Sequence, residues 1–305
     1  MSLHRLASIS ITTPRTDAVR AFYRDFGLAE TAPGRFATAD GGEQLRIGPG
    51  ALRTVSELAI GVDDGDDLAR AASALAHLGV AAQLGAHDLV AVDPATGVRV
   101  RLEIQPRVEQ KPPARLTYNA PGRSDRVNAR SRGALSEAPT PPRKLSHVVI
   151  GSPDAPASRR FFVEGIGFRV SDEMAGLGAS FLRCSTDHHN LLVQPAPVSY
   201  LHHTAWEMDD HDAVGRAAAA MVAADPERHV WGLGRHGIGS NYFWYLRDPG
   251  GAFAEYTSDL DAITEDEAWK VAASVQVHPL AAWGPPVPRS FLAPDDIAAL
   301  ARGEA

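Results

Sequence analysis

The sequence predicts an α+β fold in which four βαβββ modules form two domains, each an open, barrel-like mixed sheet. Three observations support this prediction. A strand, a proline and a helix that ends near a glycine occur twice, in RLASISITTPRTDAVRAFYRDFGL and in KLSHVVIGSPDAPASRRFFVEGIGF. A strand, an Asp-rich turn and an Ala-rich helix also occur twice. After each of these Ala-rich helices, an Asp-Pro turn joins two alternating apolar runs, as in an antiparallel pair of strands.

Each element follows from a local signal. In the first repeat, Pro14 or Pro153 ends a short alternating strand before the helix begins. The helix carries two adjacent aromatic residues in each copy, which are Phe22 with Tyr23 and Phe161 with Phe162. In the second repeat, SELAIGVDDGDDLARAASALAHLGV matches HHTAWEMDDHDAVGRAAAAMVAADP. The Asp pair before each of these helices is predicted to cap its N-terminus and to complement its dipole.

The repeats divide the chain into an N-terminal domain at 1–105, a linker at 106–143, a C-terminal domain at 144–260 and a tail at 261–305. A linker of this length is unusual inside a compact domain but is expected between repeats. Its basic residues lie among Pro, Gly and Ser, and this composition indicates a solvated connection rather than a binding patch. The apolar residues of the tail predict that it packs back onto the body as a cover.

The composition disfavours nucleic acid and membranes as partners and indicates a compartment for the protein. The net charge of −7 disfavours nucleic acid and anionic membranes, because neither attracts a negative surface. Cys184 is the only cysteine, so no intramolecular disulfide can form, which fits a reducing compartment. The N-terminal MSLHRLASIS lacks the apolar core of a signal peptide, and no run approaches the roughly 18 apolar residues of a membrane span. A cytoplasmic location without membrane contact is therefore expected.

The histidines are distributed unevenly between the two halves. Nine of the 12 histidines lie after residue 146, although duplicated halves should carry similar numbers. In the alignment of the repeats, His147 corresponds to Ser8, His203 corresponds to Glu57, and Glu255 falls near Arg101. The N-terminal domain is therefore expected to be metal-free.

His147, His203 and Glu255 are the candidate metal ligands. Each imidazole alone is more often a structural group than a ligand, but a glutamate between apolar neighbours is rarely buried without a partner. The three residues lie in the first and last strands of neighbouring modules, where such strands can converge. Two imidazoles and one carboxylate form the facial triad of non-haem Fe(II) oxygenases, which leaves open positions for substrate and O₂.

Further candidates lie around these ligands. Tyr245 precedes Glu255 by ten residues across a turn, so the two side chains can lie on one face of a hairpin. His188 and His189 should point to opposite sides of an extended segment, so at most one can reach a given pocket. Phe243 shares the parity of Tyr245 and is expected to line an apolar pocket wall.

With these residues assembled, the sequence resembles the type I extradiol dioxygenases of the vicinal oxygen chelate superfamily over nearly its whole length. The most specific segment is GRHGIGSNYFWYLRDPGGAFAEY, which resembles the family signature of Gly-x-His, Tyr, Pro-x-Gly and a ligand Glu. KLSHVVI and LHHTAWE resemble the two histidine-bearing strands, and DHHNLLV resembles the segment of the distal histidine. The resemblance implies His189, His236 and Tyr245 as catalytic residues. Ile238 and Gly239 depart from the pattern, because many relatives carry Asn or Asp there.

The resemblance implies an Fe(II)-dependent enzyme that inserts both atoms of O₂ into a catechol and yields a hydroxymuconic semialdehyde-type product in aromatic hydrocarbon catabolism. Mn(II) fits the same ligands. An apolar pocket wall favours alkyl- or aryl-substituted catechols, and family analogy predicts a homo-oligomer. Two alternatives remain on this scaffold. One is a glyoxalase-like isomerase or lyase, for which Glu207 would be a fourth ligand. The other is a metal-free ligand-binding protein.

Overall fold

The structure is a computed structural model and describes residues 3–135, 138–174, 176–275, 277 and 280–304. The two N-terminal modules each contain a strand, a helix and three further strands. The first module comprises β1 (Arg5–Thr13), α1 (Thr16–Asp25), β2 (Ala29–Ala32), β3 (Arg35–Thr38) and β4 (Gly42–Pro49). The second comprises β5 (Thr54–Val62), α2 (Gly65–His77), β6 (Ala82–Leu84), β7 (Asp88–Val92) and β8 (Arg99–Ile104).

The segment between the two pairs of modules is largely exposed. Its described residues form a small hairpin of two strands and one 3₁₀ turn, which are β9 (Asn119–Ala120), β10 (Arg123–Ser124) and Arg132–Ala134.

The two C-terminal modules repeat the same order. The third module comprises β11 (Leu145–Ser152), α3 (Ala155–Arg160), a π-helical turn (Phe161–Ile166), β12 (Arg169–Met174), β13 (Ala179–Arg183) and β14 (Leu191–Pro195). The fourth comprises β15 (Tyr200–Glu207), α4 (His211–Ala224), a 3₁₀ turn (Pro226–Arg228), β16 (His229–His236), β17 (Tyr242–Arg247) and β18 (Phe253–Ser258). The residues that follow form α5 (Asp266–Ala273), β19 (Ala281–Trp283), α6 (Arg289–Leu292) and α7 (Ile297–Ala301).

The predicted α+β fold of four βαβββ modules is confirmed. The N-terminal sheet has eight strands in the order β2-β3-β4-β1-β5-β8-β7-β6. The C-terminal sheet repeats this order as β12-β13-β14-β11-β15-β18-β17-β16 and adds β19 at its edge. Both sheets are mixed, because the first and last strands of each module pair in parallel while the other neighbours are antiparallel.

The local signals act as the sequence predicts. The side chain of Asp64 accepts hydrogen bonds from the first backbone N–H groups of α2, and that of Asp210 accepts one in α4. Gly27 and Gly167 follow the aromatic-bearing helices and have φ of 97° and 102°, a conformation that glycine adopts without strain. The π-helical form of the second of these helices was not predicted.

One apolar core joins the two sheets. The rings of Phe26 and Tyr256 stack with centroids 3.8 Å apart, and the Tyr256 hydroxyl donates to the Phe26 carbonyl at 2.8 Å. Trp206 is fully buried and packs edge-on against Tyr23. Tyr23 of α1 and Phe26 directly after it therefore support the back of the C-terminal sheet. None of the described helices is both long and apolar enough to cross a membrane.

Candidate metal centre

Three neighbouring strands bring the predicted ligands together. His147 of β11 and Glu255 of β18 both pair with Ala205 of β15, one from each side. His203 lies two residues before Ala205 and therefore on the same face of β15. The parity of the strands thus directs all three side chains to one side of the sheet.

The donor atoms of these residues converge. Nε2 of His147 lies 3.1 Å from Oε2 of Glu255, Nε2 of His203 lies 3.5 Å from the same oxygen, and the two nitrogens are 3.4 Å apart. All three side chains are buried. Within the described ranges, they form the group of histidine and acidic side chains that can share one ion.

The donor set fits a divalent cation. Oε2 of Glu255 is buried and has no hydrogen-bond partner, although Nε2 of His147 is only 3.1 Å away. A carboxylate with no exposed surface requires a positive partner. Burial lowers the pKa of His203 well below its usual value, so this imidazole stays neutral and keeps a lone pair for a metal. Two imidazoles with one carboxylate suit first-row metals such as Fe and Mn.

Asn241 holds the other carboxylate oxygen and was missed by the sequence analysis. Its side-chain amide donates to Oε1 of Glu255 at 3.1 Å and to Oγ1 of Thr257 at 2.8 Å. The Thr257 hydroxyl gives its own proton to the carbonyl of Tyr242, so it must accept from Asn241. This network leaves Oε2 of Glu255 directed at the two imidazoles. The sequence offered no periodic signal for this residue, because it stands just before β17.

His189 lies beside the metal ligands. Its ring centroid is 4.1 Å from that of His147, and both residues line the same cavity. Burial, followed by the neighbouring His147, lowers the pKa of His189 well below its usual value. His188 is fully buried behind His189 and does not line the cavity. As the alternation predicted, only one of the pair reaches the pocket.

Tyr245 and His236 lie beside His203, whose ring centroid is 5.2 Å from that of Tyr245. Tyr245 pairs directly with Glu255 in the register of β17 and β18, as the hairpin prediction required. The Tyr245 hydroxyl lies 2.9 Å from Nε2 of His236, whose Nδ1 lies 2.5 Å from the carbonyl of Leu280. Burial raises the pKa of Tyr245 well above 10, with a further contribution from Glu255. The phenol therefore remains protonated at neutral pH.

A cavity of about 350 Å³ opens beside these polar groups. Most of its remaining lining is apolar and comes from the C-terminal sheet and from the tail: Val149, Met174, Leu177, Ala179, Phe181, Leu192, Pro195, Ile238, Leu280, Phe291 and Leu292. Among the described residues, no Lys, Arg, Asp or Glu lines it. The tail is held in place where Nε2 of His202 lies 2.8 Å from the Phe291 carbonyl.

The expectation that Phe243 lines this cavity is wrong. Phe243 is fully buried, and the ring of His236 stacks on it with centroids 4.0 Å apart. Trp231 covers it from the neighbouring strand. Phe243 and Tyr245 do share a face of β17, but His236 lies between Phe243 and the open space.

The N-terminal sheet has a different set of side chains at the equivalent positions. The registers of β1, β5 and β8 match those of β11, β15 and β18, which confirms the alignment of the repeats. Arg101 stands where the C-terminal sheet has Glu255, and its guanidinium lies 3.2 Å from Glu57 and 2.5 Å from Asp88. Ser8 stands at the position of His147.

Glu207 does not join the three candidate ligands. It lies at the end of β15, where its carboxylate is 3.5 Å from Nζ of Lys144 and accepts from Gln110 at 3.2 Å. Burial raises the pKa of Glu207. Its parity matches that of His203, but its position along the strand brings it to a different set of partners.

Comparisons with known proteins find similar sequences and a similar fold. Residues 144–256 match the family model described as Glyoxalase/Bleomycin resistance protein/Dioxygenase superfamily. The chain is 35% identical to metapyrocatechase 2 of Cupriavidus necator over 64% of this chain and 60% of that protein. It is 30% identical to an iron-dependent extradiol dioxygenase of Rhodococcus jostii over 46% of this chain and 50% of that protein. The matched regions thus span little more than half of these relatives.

The fold extends over nearly the whole chain in a solved structure. The crystal structure of BphC, a halotolerant catechol dioxygenase, has a TM-score of 0.73 and covers 96% of this chain and 97% of that one. The sequence identity is 19%, so this likeness concerns the fold.

Proposed function

We propose that the chain is an extradiol ring-cleaving dioxygenase, on the premise that its residues 144–256 match the Glyoxalase/Bleomycin resistance protein/Dioxygenase superfamily model. It inserts both atoms of O₂ into a catechol and yields a hydroxymuconic semialdehyde-type product. The observation that carries this proposal is the convergence of two buried imidazoles and one buried carboxylate beside an apolar cavity. The names of the two curated relatives, a metapyrocatechase and an extradiol dioxygenase, support the same chemistry.

His147, His203 and Glu255 hold the metal in this proposal. When bound, the metal supplies Lewis acidity toward the catechol oxygens and adjacent positions for catechol and O₂. We assign Fe(II), in line with the relative named iron-dependent. Mn(II) fits the same ligands, and metal analysis of protein purified without oxygen distinguishes the two.

The cavity residues bind the catechol and move its protons. Tyr245, whose hydroxyl faces His236 at 2.9 Å, donates a hydrogen bond to the oxygen that has lost its proton. His189, which lies beside His147 and which burial keeps neutral, accepts the proton of the second hydroxyl. His236 orients Tyr245 and contacts the substrate at the side closed by the tail.

The apolar lining defines the substrate class. A charged substituent would enter this cavity without a counter-charge from any described residue of its wall, and burying an unpaired charge is costly. Catechols with an alkyl or aryl substituent instead gain from the burial of apolar surface, at about 25 cal/mol per Å².

The test is a substrate panel with the Fe(II)-loaded protein. Catechol, 3-alkyl, 3-aryl and carboxylate-bearing catechols are compared by O₂ uptake and by the absorbance of the yellow ring-opened product. The apolar catechols are expected to give the highest kcat/KM. His189→Phe is expected to keep its metal and to lose most turnover.

Metal binding without O₂ uptake for any catechol would contradict the proposal and favour the isomerase alternative. Wild-type turnover in His189→Phe would remove that residue from the mechanism. The contacts of Glu207 with Lys144 and Gln110 argue against the fourth ligand that the alternative requires.

A further inference from the structure

Asp172, His188 and His189 form a continuous series of contacts behind the cavity wall. Asp172 lies in β12, and the two histidines lie between β13 and β14. Nε2 of His188 is 2.8 Å from Oδ2 of Asp172, and Nδ1 of His188 is 3.0 Å from Nδ1 of His189. His188 is fully buried, whereas the Asp172 side chain is 22% exposed. The series therefore leads from the cavity toward the protein surface.

The chemistry of these groups determines which nitrogen carries each proton. A carboxylate can only accept, so His188 donates to Asp172 through Nε2. When the Nε2 proton is the one that His188 carries, its Nδ1 has a lone pair and accepts from Nδ1–H of His189 at 3.0 Å. His189 is left with an unprotonated Nε2, in a residue that lines the cavity.

We infer that Asp172 and His188 are positioning residues that hold His189 in the tautomer whose Nε2 can accept a proton from the substrate. This inference rests on the role that the proposed function gives to His189. The arrangement places a carboxylate behind a histidine, which is a known way to fix the tautomer and the orientation of an imidazole that acts on a substrate. Here one additional imidazole lies between the carboxylate and the acting histidine.

The surroundings of His188 hold the series in one geometry. Its backbone N–H donates to the carbonyl of Asp261 at 2.8 Å. The ring of Trp269 packs edge-on against it at 5.2 Å, while the Trp269 indole N–H donates to the Ser171 carbonyl next to Asp172 at 2.9 Å. Phe181 packs on the rings of both histidines. The imidazole of His188 is therefore confined between Asp172 and His189. Loss of the Asp172 carboxylate should change which nitrogen of His188 carries the proton, and with it the tautomer of His189.

The test combines ¹⁵N NMR of histidine-labelled, metal-free full-length protein with kinetics of the Fe(II)-loaded protein. The imidazole ¹⁵N shifts distinguish the two tautomers, and His189→Phe identifies the signals of that residue. In the wild type, His189 is expected as the Nδ1–H tautomer. Asp172→Ala should convert it to a mixture and lower kcat by about 10- to 100-fold, the range for lost supporting partners of a site, with KM and metal content unchanged.

Two further variants separate positioning from structural effects. Asp172→Asn keeps a neutral acceptor of similar shape, so its loss of kcat should be smaller than that of Asp172→Ala. Glu173→Gln removes a charge from the neighbouring position of β12, where the carboxylate is 49% exposed and contacts Arg159 at 2.9 Å. This control should leave both the tautomer and kcat unchanged.

An Nε2–H tautomer of His189 in the wild type would overturn the inference. So would an Asp172→Ala variant with the wild-type tautomer and the wild-type kcat. The NMR result needs no turnover, so it can be obtained even if no catechol supports O₂ uptake. Failure of the proposed function and failure of this inference are thus distinguishable.

Discussion

Replacement of Glu255 by Gln separates the metal-dependent stability of the protein from its intrinsic stability. In the wild type, the carboxylate is fully buried, and one of its oxygens has no hydrogen-bond partner. Without metal, folding must bury this charge uncompensated, which is unfavourable. Glu255→Gln removes the charge and retains an oxygen that can accept from Asn241. We therefore expect the metal-free variant to be at least as stable as the metal-free wild type.

The metal should reverse this order. An ion that binds only the folded state raises the free energy of unfolding by about 2.7 kcal/mol when its free concentration is 100 times Kd. The entropy of unfolding is about 2.1 cal/mol/K per residue, or about 0.64 kcal/mol/K for a chain of 305 residues. The wild-type Tm should therefore rise by about 4 °C if the chain unfolds as one unit. The Tm of Glu255→Gln should change little at the same metal concentration.

Anaerobic thermal unfolding with Fe(II), with Mn(II) and with a chelator measures both effects. The matched control is Glu207→Gln, because Glu207 is a half-buried carboxylate in the adjacent strand that contacts Lys144 instead of the imidazoles. This control should keep the full metal-dependent rise in Tm. An equal rise in Glu255→Gln would refute the assignment of this carboxylate as a ligand, and loss of the rise in Glu207→Gln would restore the four-ligand alternative.

Three further variants test individual residues of the C-terminal half. Asn241→Leu removes the donor to Oε1 of Glu255 and should weaken metal binding by about 10- to 100-fold in a chelator competition, whereas an unchanged Kd would exclude this support. Burial raises the pKa of Asp248 from 3.8 to about 6, so the folded protein holds this proton more tightly than the unfolded chain does. The free energy of unfolding should therefore fall by about 3 kcal/mol as the pH rises from 4 to 6. In urea unfolding with a chelator present, Asp248→Asn should lack this part of the pH dependence. Parallel pH profiles for the variant and the wild type would contradict this prediction. Phe291→Ala enlarges the cavity and should raise the kcat/KM of aryl catechols relative to that of catechol itself, and an unaltered ratio would place the aryl group elsewhere.

The fold and the candidate ligands could be predicted because the sequence contains an internal repeat, so that its two halves can be compared. Two copies of one module show which positions are structural, since these keep their apolar pattern, and which differ between the halves. His147 and His203 differ from their counterparts, and strand parity suffices to direct them to one face. The alignment of the repeats was made from the sequence, and the matching strand registers of the two sheets confirm it.

Other features depend on contacts that the sequence pattern does not encode. The parity of Phe243 was predicted correctly, but parity does not reveal that His236 of the neighbouring strand covers the ring. Asn241 stands before a strand, where no periodicity applies, and its role depends on a carboxylate 14 residues later in the chain. The part of the cavity wall contributed by Phe291 arises from the return of the tail to the C-terminal sheet, which is a tertiary contact over a long sequence separation.

The two sheets differ in the source of positive charge at one equivalent position. At the position of Glu255, the N-terminal sheet has Arg101, whose guanidinium lies within ion-pair distance of Glu57 and Asp88. That sheet therefore supplies its own positive charge from a side chain. In the C-terminal sheet the charge at this position is reversed, and no Lys or Arg within the described ranges forms an ion pair with Glu255. Its carboxylate accepts from the amide of Asn241 and lies near two imidazoles, and burial lowers the pKa of His203, which disfavours a charge on that ring. A buried carboxylate without a described Lys or Arg partner is costly to keep charged, and a cation held between it and the two imidazoles, as in the proposed function, would remove this cost.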